Sequence, residues 1–306
     1  MRNVRPAVLA VALAAMLLPS CLEFERQTIL VRRDAATDTL LVRIIYEGIY
    51  SSAEPDKLGA DLDTLAAYAK PGHGFVVMDS LFSFELDAPK GAGTELLAKH
   101  GKLTNGAFFM NAEKKLSAWQ DLRIEKATDF IAGMNALVSA EIATPGAGPE
   151  GSDAETRKLL TDAAARKHAW FALDAAGLRF DFFASPADAE KMKADFLRDF
   201  AGGAIEAAAG DTAEARSKPG ALLRTLSRNP VSWTHRGTAL SLAVAPDAAA
   251  PEVVRMEWWN EARYVANLLE APKGGKKPPK LPAKLDGGAT VAKLSAEFAK
   301  LKPTAK

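Results

Sequence analysis

The side chains with chemical potential in this chain are few and scattered. His73, His100, His168 and His235 are its only histidines. None lies at metal-ligand spacing from another, and no cysteine stands near enough to complete a set. A metal site would have to be gathered from distant segments, whereas a loop or strand-edge position accounts for each histidine alone. A serine nucleophile needs a base and an orienting carboxylate. Asp79-Ser80 and Ser232-Trp233-Thr234-His235 supply those residue types without a nucleophile-elbow pattern. Gly91-Ala92-Gly93 carries half of a dinucleotide fingerprint, but Leu96 holds the place of the third glycine, and a turn through Pro89-Lys90-Gly91 accounts for the run. Glu155 with Lys158 and Glu190 with Lys193 are surface pairs at helical spacing, and no acidic group has a calcium-loop pattern. Trp258-Trp259 admits two readings, stacking on sugar rings or packing in a core. No residue is therefore assigned a catalytic, cofactor-binding or metal-ligating role, and no cofactor is expected.

One thiol remains, Cys21, the only cysteine in 306 residues. A single cysteine cannot form an internal disulfide, so it needs another explanation. Arg2 and Arg5 precede an unbroken apolar run from Ala7 to Leu18. That run has the length of a signal-peptide core and falls short of the ~20 residues a membrane-spanning helix needs. Leu18-Pro19-Ser20-Cys21 follows. This pattern resembles the lipobox of bacterial lipoproteins. The resemblance implies diacylglycerol on the Cys21 thiol and cleavage of residues 1–20 as a signal peptide. It also implies fatty acylation of the new amine in many species. Leu22 is not aspartate, so the family's sorting rule points to the outer membrane, with the protein facing the periplasm.

Periodicity sets out the elements that would carry any site. Phe24 to Arg33 and Thr39 to Tyr50 flank the turn Asp34-Ala35-Ala36-Thr37-Asp38. In the second run Leu40, Val42, Ile44 and Tyr46 alternate with Leu41, Arg43, Ile45 and Glu47, which predicts a hairpin. The spacing predicts a helix over 55–70, a strand over 75–86 with room for a bend near Asp79-Ser80, one or two strands between Gly106 and Leu122, and a helix from Ile124 to Glu141. Ser152-Asp153-Ala154-Glu155 has capping-box form and opens a helix to about Lys167. Trp170 to Leu173 and Leu178 to Phe183 form a second hairpin, after which Ser185 caps a helix to about Phe200. Val231 to His235 and Thr238 to Ala245 form a third hairpin. Val253 to Trp258 reads as strand and Trp259 to Glu270 as helix. Repeated hairpin-then-helix units predict an α+β fold: an antiparallel sheet built from successive hairpins, with helices packed on one face.

The chain thus divides into a signal peptide (1–20), an α+β body (21–271) with a candidate subdomain break at 144–152, and a basic tail (272–306). The tail holds nine lysines against Asp286 and Glu297, while the body is mildly acidic. Its Lys273 to Lys284 segment is too polar for a core and reads as flexible. Val291, Leu294, Phe298 and Leu301 form one amphipathic stripe. Three uses of the tail stand open: a solvated spacer, contact with an anionic envelope surface, or capture of an acidic protein. Nucleic acid is not an expected partner in this compartment. Two functions follow as expectations: a lipid-anchored, non-catalytic binding or assembly module, or an envelope-acting hydrolase whose site is assembled from distant residues.

Overall fold

A computed structural model of the chain describes residues 22–51, 73–77, 81–144, 153–190, 231–236, 238–259 and 285–301. The stretches expected as signal peptide and lipobox, the helix expected over 55–70, all of the helix expected over Trp259 to Glu270 but its first residue, most of the helix after Ser185, and Lys273 to Lys284 lie outside the described residues; Trp259 itself ends a strand instead of opening a helix.

The fold is α+β, with antiparallel sheets made from hairpins. β1 (Leu22–Asp34) and β2 (Thr39–Ser51) form a long hairpin in continuous register from Leu22↔Ser51 to Asp34↔Thr39. Its turn closes locally, with the Asp34 carboxylate accepting from the Ala36 and Thr37 amides. β2 then pairs with β7 (Leu116–Glu125), and β7 with β5 (Gly101–Asn105) and the short β6 (Phe109–Met110). β12 (Val254–Trp259) comes from far along the chain to the free side of β1. The main sheet therefore runs β12-β1-β2-β7-β5. A second sheet has the order β10-β11-β9-β8, from β8 (Phe171–Asp174), β9 (Gly177–Phe183), β10 (Val231–Arg236) and β11 (Ala239–Val244). β3 (His73–Val77) and β4 (Leu81–Glu85) form a separate hairpin.

Alternation along the main strands sorts side chains onto two buried faces. One face presents Ile29, Val31, Leu40, Val42, Leu103, Leu122, Ile124, Val254 and Met256. It packs against Leu97 of α1 (Ala92–His100), Phe130 and Ile131 of α2 (Ala127–Ala143), and Leu173, Leu178 and Val244 of the second sheet. This core takes residues from both sides of 144–152. α3 (Ala154–Ala165) packs beside α2 through Val138, Leu160, Ala163 and the wholly buried Trp170.

The opposite face receives the end of the tail. α4 (Val291–Lys300) is the expected amphipathic helix, and its stripe is buried: Phe298 lies against Leu30, Leu41 and Val253, and Leu294 shares a cluster with Ile45 and Phe109. Two arginines of the sheet bind its main chain. Arg32 donates to the carbonyls of Ala299 (2.8 Å) and Leu301, and Arg43 donates to that of Leu294 (2.7 Å). The two bonds from Arg32 satisfy acceptors that a helix C-terminus leaves open, whereas Arg43 reaches a carbonyl in the body of the helix. Arg43 also grips Asp121 with two 2.6 Å bonds and stacks on the Trp119 ring at 4.4 Å.

Several boundaries differ from the periodic reading. Ile124 belongs to β7, and α2 begins at Ala127, because Lys126 adopts a left-handed φ of 53° that ends the strand. The helix is then capped from a distance, as Thr128 donates from its amide (3.1 Å) and hydroxyl (2.7 Å) to Asp38. The cap of α3 is Asp153 rather than Ser152, with its carboxylate accepting from the Thr156 amide at 2.6 Å. α1 and β5 are elements the pattern did not reveal. Helix passes to strand at Gly101 without a turn, and a Cβ there would stand 2.6 Å from the Leu97 carbonyl oxygen.

Candidate functional site

Charged side chains collect on the tail-facing side of the main sheet, toward the end where β1 begins. The register sets Thr28 opposite Glu257 and Ile45, and Arg26 opposite Trp259 and Glu47. Facing pairs share one side of a sheet, so three strands bring Arg26, Thr28, Glu47 and Glu257 together. Arg26 bridges the two acids, 3.1 Å from Glu257 and 3.4 Å from Glu47. Arg255 donates from Nε to the other oxygen of Glu257 at 2.7 Å. Glu257 is wholly buried and held by both guanidinium groups, whereas Arg26, Arg255 and Glu47 keep partial exposure. The Thr28 hydroxyl is buried and has no hydrogen-bond partner among the described residues.

Burial pushes the Glu47 carboxyl above its ordinary value. Arg26 opposes that rise, and the nearby charges of Glu257 and Glu113 add to it. A desolvated carboxyl beside another that is held by two guanidinium groups is a proton-holding arrangement of the kind acid–base chemistry uses. It is equally the arrangement of a buried ion-pair network that joins three strands.

A second polar cluster gathers on the other sheet. The Asp181 carboxylate accepts the Ser241 hydroxyl at 2.7 Å, lies 3.1 Å from His168 Nε2, and pairs with Arg179 Nε at 3.2 Å. The residue types are those of a hydrolytic triad, but the order is not. The carboxylate stands between serine and histidine, so the hydroxyl donates to the acid and the imidazole cannot serve as its base. His168 is set edge-on to Trp170 and Phe183. Asp181 thereby pins the segment before β8 to the sheet.

The residues singled out by type fall in separate places. His100 ends α1, where Nδ1 lies 3.1 Å from the Glu125 carbonyl and the ring edge meets Phe130. His73 lies on β3 and His235 on β10. Gly91, with φ of 85°, is the N-cap of α1, and Leu96 is packed into the core beside Gly133. Gly91-Ala92-Gly93 is thus the N-cap and first two residues of α1. Trp258 and Trp259 are successive residues of β12, in register with Gln27 and Arg26. Asp79, Ser80 and Cys21 lie outside the described residues. Among the described residues no group of three or more His, Cys, Asp or Glu could hold a metal ion. Sequence reasoning missed the Arg26–Glu47–Glu257–Arg255 group and the Asp181 hub. Their members lie up to 231 residues apart, and only strand pairing joins them.

No protein-family model, characterised protein or solved structure matches the chain.

Proposed function

We propose that this protein is a cell-envelope lipoprotein, held by diacylglycerol on Cys21 at the periplasmic side of the outer membrane and acting there as a non-catalytic binding or assembly module. The observation that carries the reading is the lone cysteine in a lipobox, with β1 beginning at the very next residue, Leu22. Two or three acyl chains, each contributing about 0.8 kcal/mol per buried CH₂, hold a protein stably where one does not.

With no spacer between lipid and fold, the Leu22–Ser51 end of the hairpin rests at the bilayer surface. At about 3.3 Å per residue the turn at 35–38 then stands about 40 Å away. The charged group around Arg26 would lie near the membrane, about 13 Å along β1 from Leu22. Lysines of the tail add attraction to anionic lipid or lipopolysaccharide phosphate, on the order of 1 kcal/mol each near such a surface. A non-catalytic role fits the commitments of the candidate groups. Ser241 donates to Asp181, Ser185 to Asp153, and Glu257 is locked by two arginines. The alternative, an envelope-acting hydrolase, rests on the raised proton affinity of Glu47.

Detergent phase partitioning of the native protein, with mass spectrometry of its mature N-terminus, tests the anchor. The expected result is partition into detergent with an acylated Cys21, and transfer of Cys21→Ala to the aqueous phase. Native protein in the aqueous phase with unmodified first residues would refute it.

A further inference from the structure

Two dipeptides in this chain set a short carbonyl-bearing side chain before glycine: Asn105-Gly106 and Asp286-Gly287. In such pairs the glycine amide nitrogen can attack the side-chain Cγ. Glycine lacks the Cβ that hinders this approach and gives the backbone the freedom it requires. The N–Cγ bond forms and water (from aspartate) or ammonia (from asparagine) leaves, producing a five-membered succinimide. Water then opens either carbonyl, and one product carries the main chain through the former side chain. The reaction needs a free glycine N–H and a mobile peptide.

The fold treats the two pairs in opposite ways. Asn105 lies in β5 opposite Gln120, and its Oδ1 accepts from Gln120 Nε2 at 2.7 Å. The Gly106 N–H donates to the Trp119 carbonyl at 2.8 Å, and a Cβ on Gly106 would stand 2.1 Å from the Trp119 ring. Nucleophile, electrophile and backbone are all held there. Asp286 and Gly287 are exposed, in the turn that leads into α4. Nothing lies within 4 Å of a Cβ on Gly287, and its N–H has no hydrogen-bond partner among the described residues. Asp286 Oδ1 accepts from the Gly288 amide at 2.8 Å, which folds the carboxyl back across the Gly287 peptide.

We infer that Asp286 is a site of spontaneous isoaspartate formation in the folded protein, and that Asn105 is protected from the same chemistry. The modification falls at a mechanical joint. The Asp286 amide donates to the Phe108 carbonyl at 2.8 Å, Leu285 bridges to Phe108, and Thr290 caps α4 four residues on. An isoaspartyl link inserts an extra main-chain methylene between those two fixed points. It shifts Ala289 and Leu294 out of their seats beside Ile45 and Phe109, so ageing loosens the docked tail helix from its N-terminal end.

The full chain, incubated folded at neutral pH and physiological temperature, is followed by peptide mapping with fragmentation that distinguishes aspartate from isoaspartate. A parallel sample is incubated unfolded in urea. The expected result is isoaspartate at 286 in both samples and deamidation of Asn105 only in the unfolded one. Asp286→Glu should lose the signal, because its ring closure is slower, and Asp286→Asn should strengthen it with a readable mass change. Isoaspartate at 286 in the unfolded sample alone, or Asn105 reacting as fast as Asp286 in the folded protein, would overturn the inference.

Discussion

Replacing Arg43 with methionine should undock the tail helix and cost about 3 kcal/mol of stability. The Arg43 side chain is 4 % exposed and makes three short charge-assisted contacts, two with Asp121 and one with the Leu294 carbonyl. Removing one member of a buried ion pair costs about 3–5 kcal/mol, because the charge left behind is desolvated and unpaired. Asp121 keeps 26 % exposure and can turn toward water, which argues for the low end. Methionine retains much of the buried stem, so little of the loss comes from a cavity. The lost bond to the Leu294 carbonyl, which keeps its place in the helix ladder, and the lost stacking on Trp119 each add at most about 1 kcal/mol, though contacts of one side chain do not add in full. In a chain of this size, with an unfolding entropy of about 2.1 cal/mol/K per residue, about 3 kcal/mol corresponds to a fall in Tm of about 5 °C. Urea denaturation gives the stability, and limited proteolysis at 285–301 shows whether the loss is local. A double-mutant cycle with Asp121→Asn isolates the pair. A variant within about 0.5 kcal/mol of the parent, with the tail helix still protected, would refute the claim that Arg43 holds the helix.

Two further predictions concern pH. Asp38 titrates below its ordinary value, chiefly through the Thr128 hydroxyl bond, so its contribution is present above pH 3.8 and is lost as pH falls through the lowered value. Asp38→Ala should cost about 1 kcal/mol at neutral pH and weaken protection of the α2 amides against hydrogen exchange; unchanged exchange there would count against the distant cap. Glu47 has the opposite sign. Its raised value means the fold holds the proton, so stability declines as pH rises from about 4.5 through the raised value. Glu47→Gln should lose that portion of the slope, and parallel urea-midpoint profiles for the two proteins would contradict it.

The hairpins were legible because their signals are local. Asp34 binds amides two and three residues on, and Asp174 binds the Ala176 amide. The observed pairs Phe171↔Phe180 and Leu173↔Leu178 follow directly from period-2 spacing. The tail stripe likewise contained its helix. α1 and β5 were not legible because Gly101 serves both elements and no turn residue separates them. The start of α2 was misplaced because Ile124 fits a helical stripe as well as a strand, and only the backbone at Lys126 separates the two. The candidate sites were invisible in sequence for a different reason. Arg26, Glu47 and Glu257 have no spacing in common until three strands align.

Taken alone, the sequence determined the lone cysteine and the lipobox-like run before it, the hairpin units and the amphipathic end of the tail. Each depends on residues within one or two turns of chain, where backbone geometry fixes who meets whom. Only the tertiary structure decided that β12 closes beside β1, that Asp38 caps a helix 90 residues away, that Arg32 and Arg43 bind the tail, and that Asp181 separates Ser241 from His168. Those partnerships join groups whose positions follow from sheet order and packing, and a local pattern carries no record of which distant strand will lie alongside.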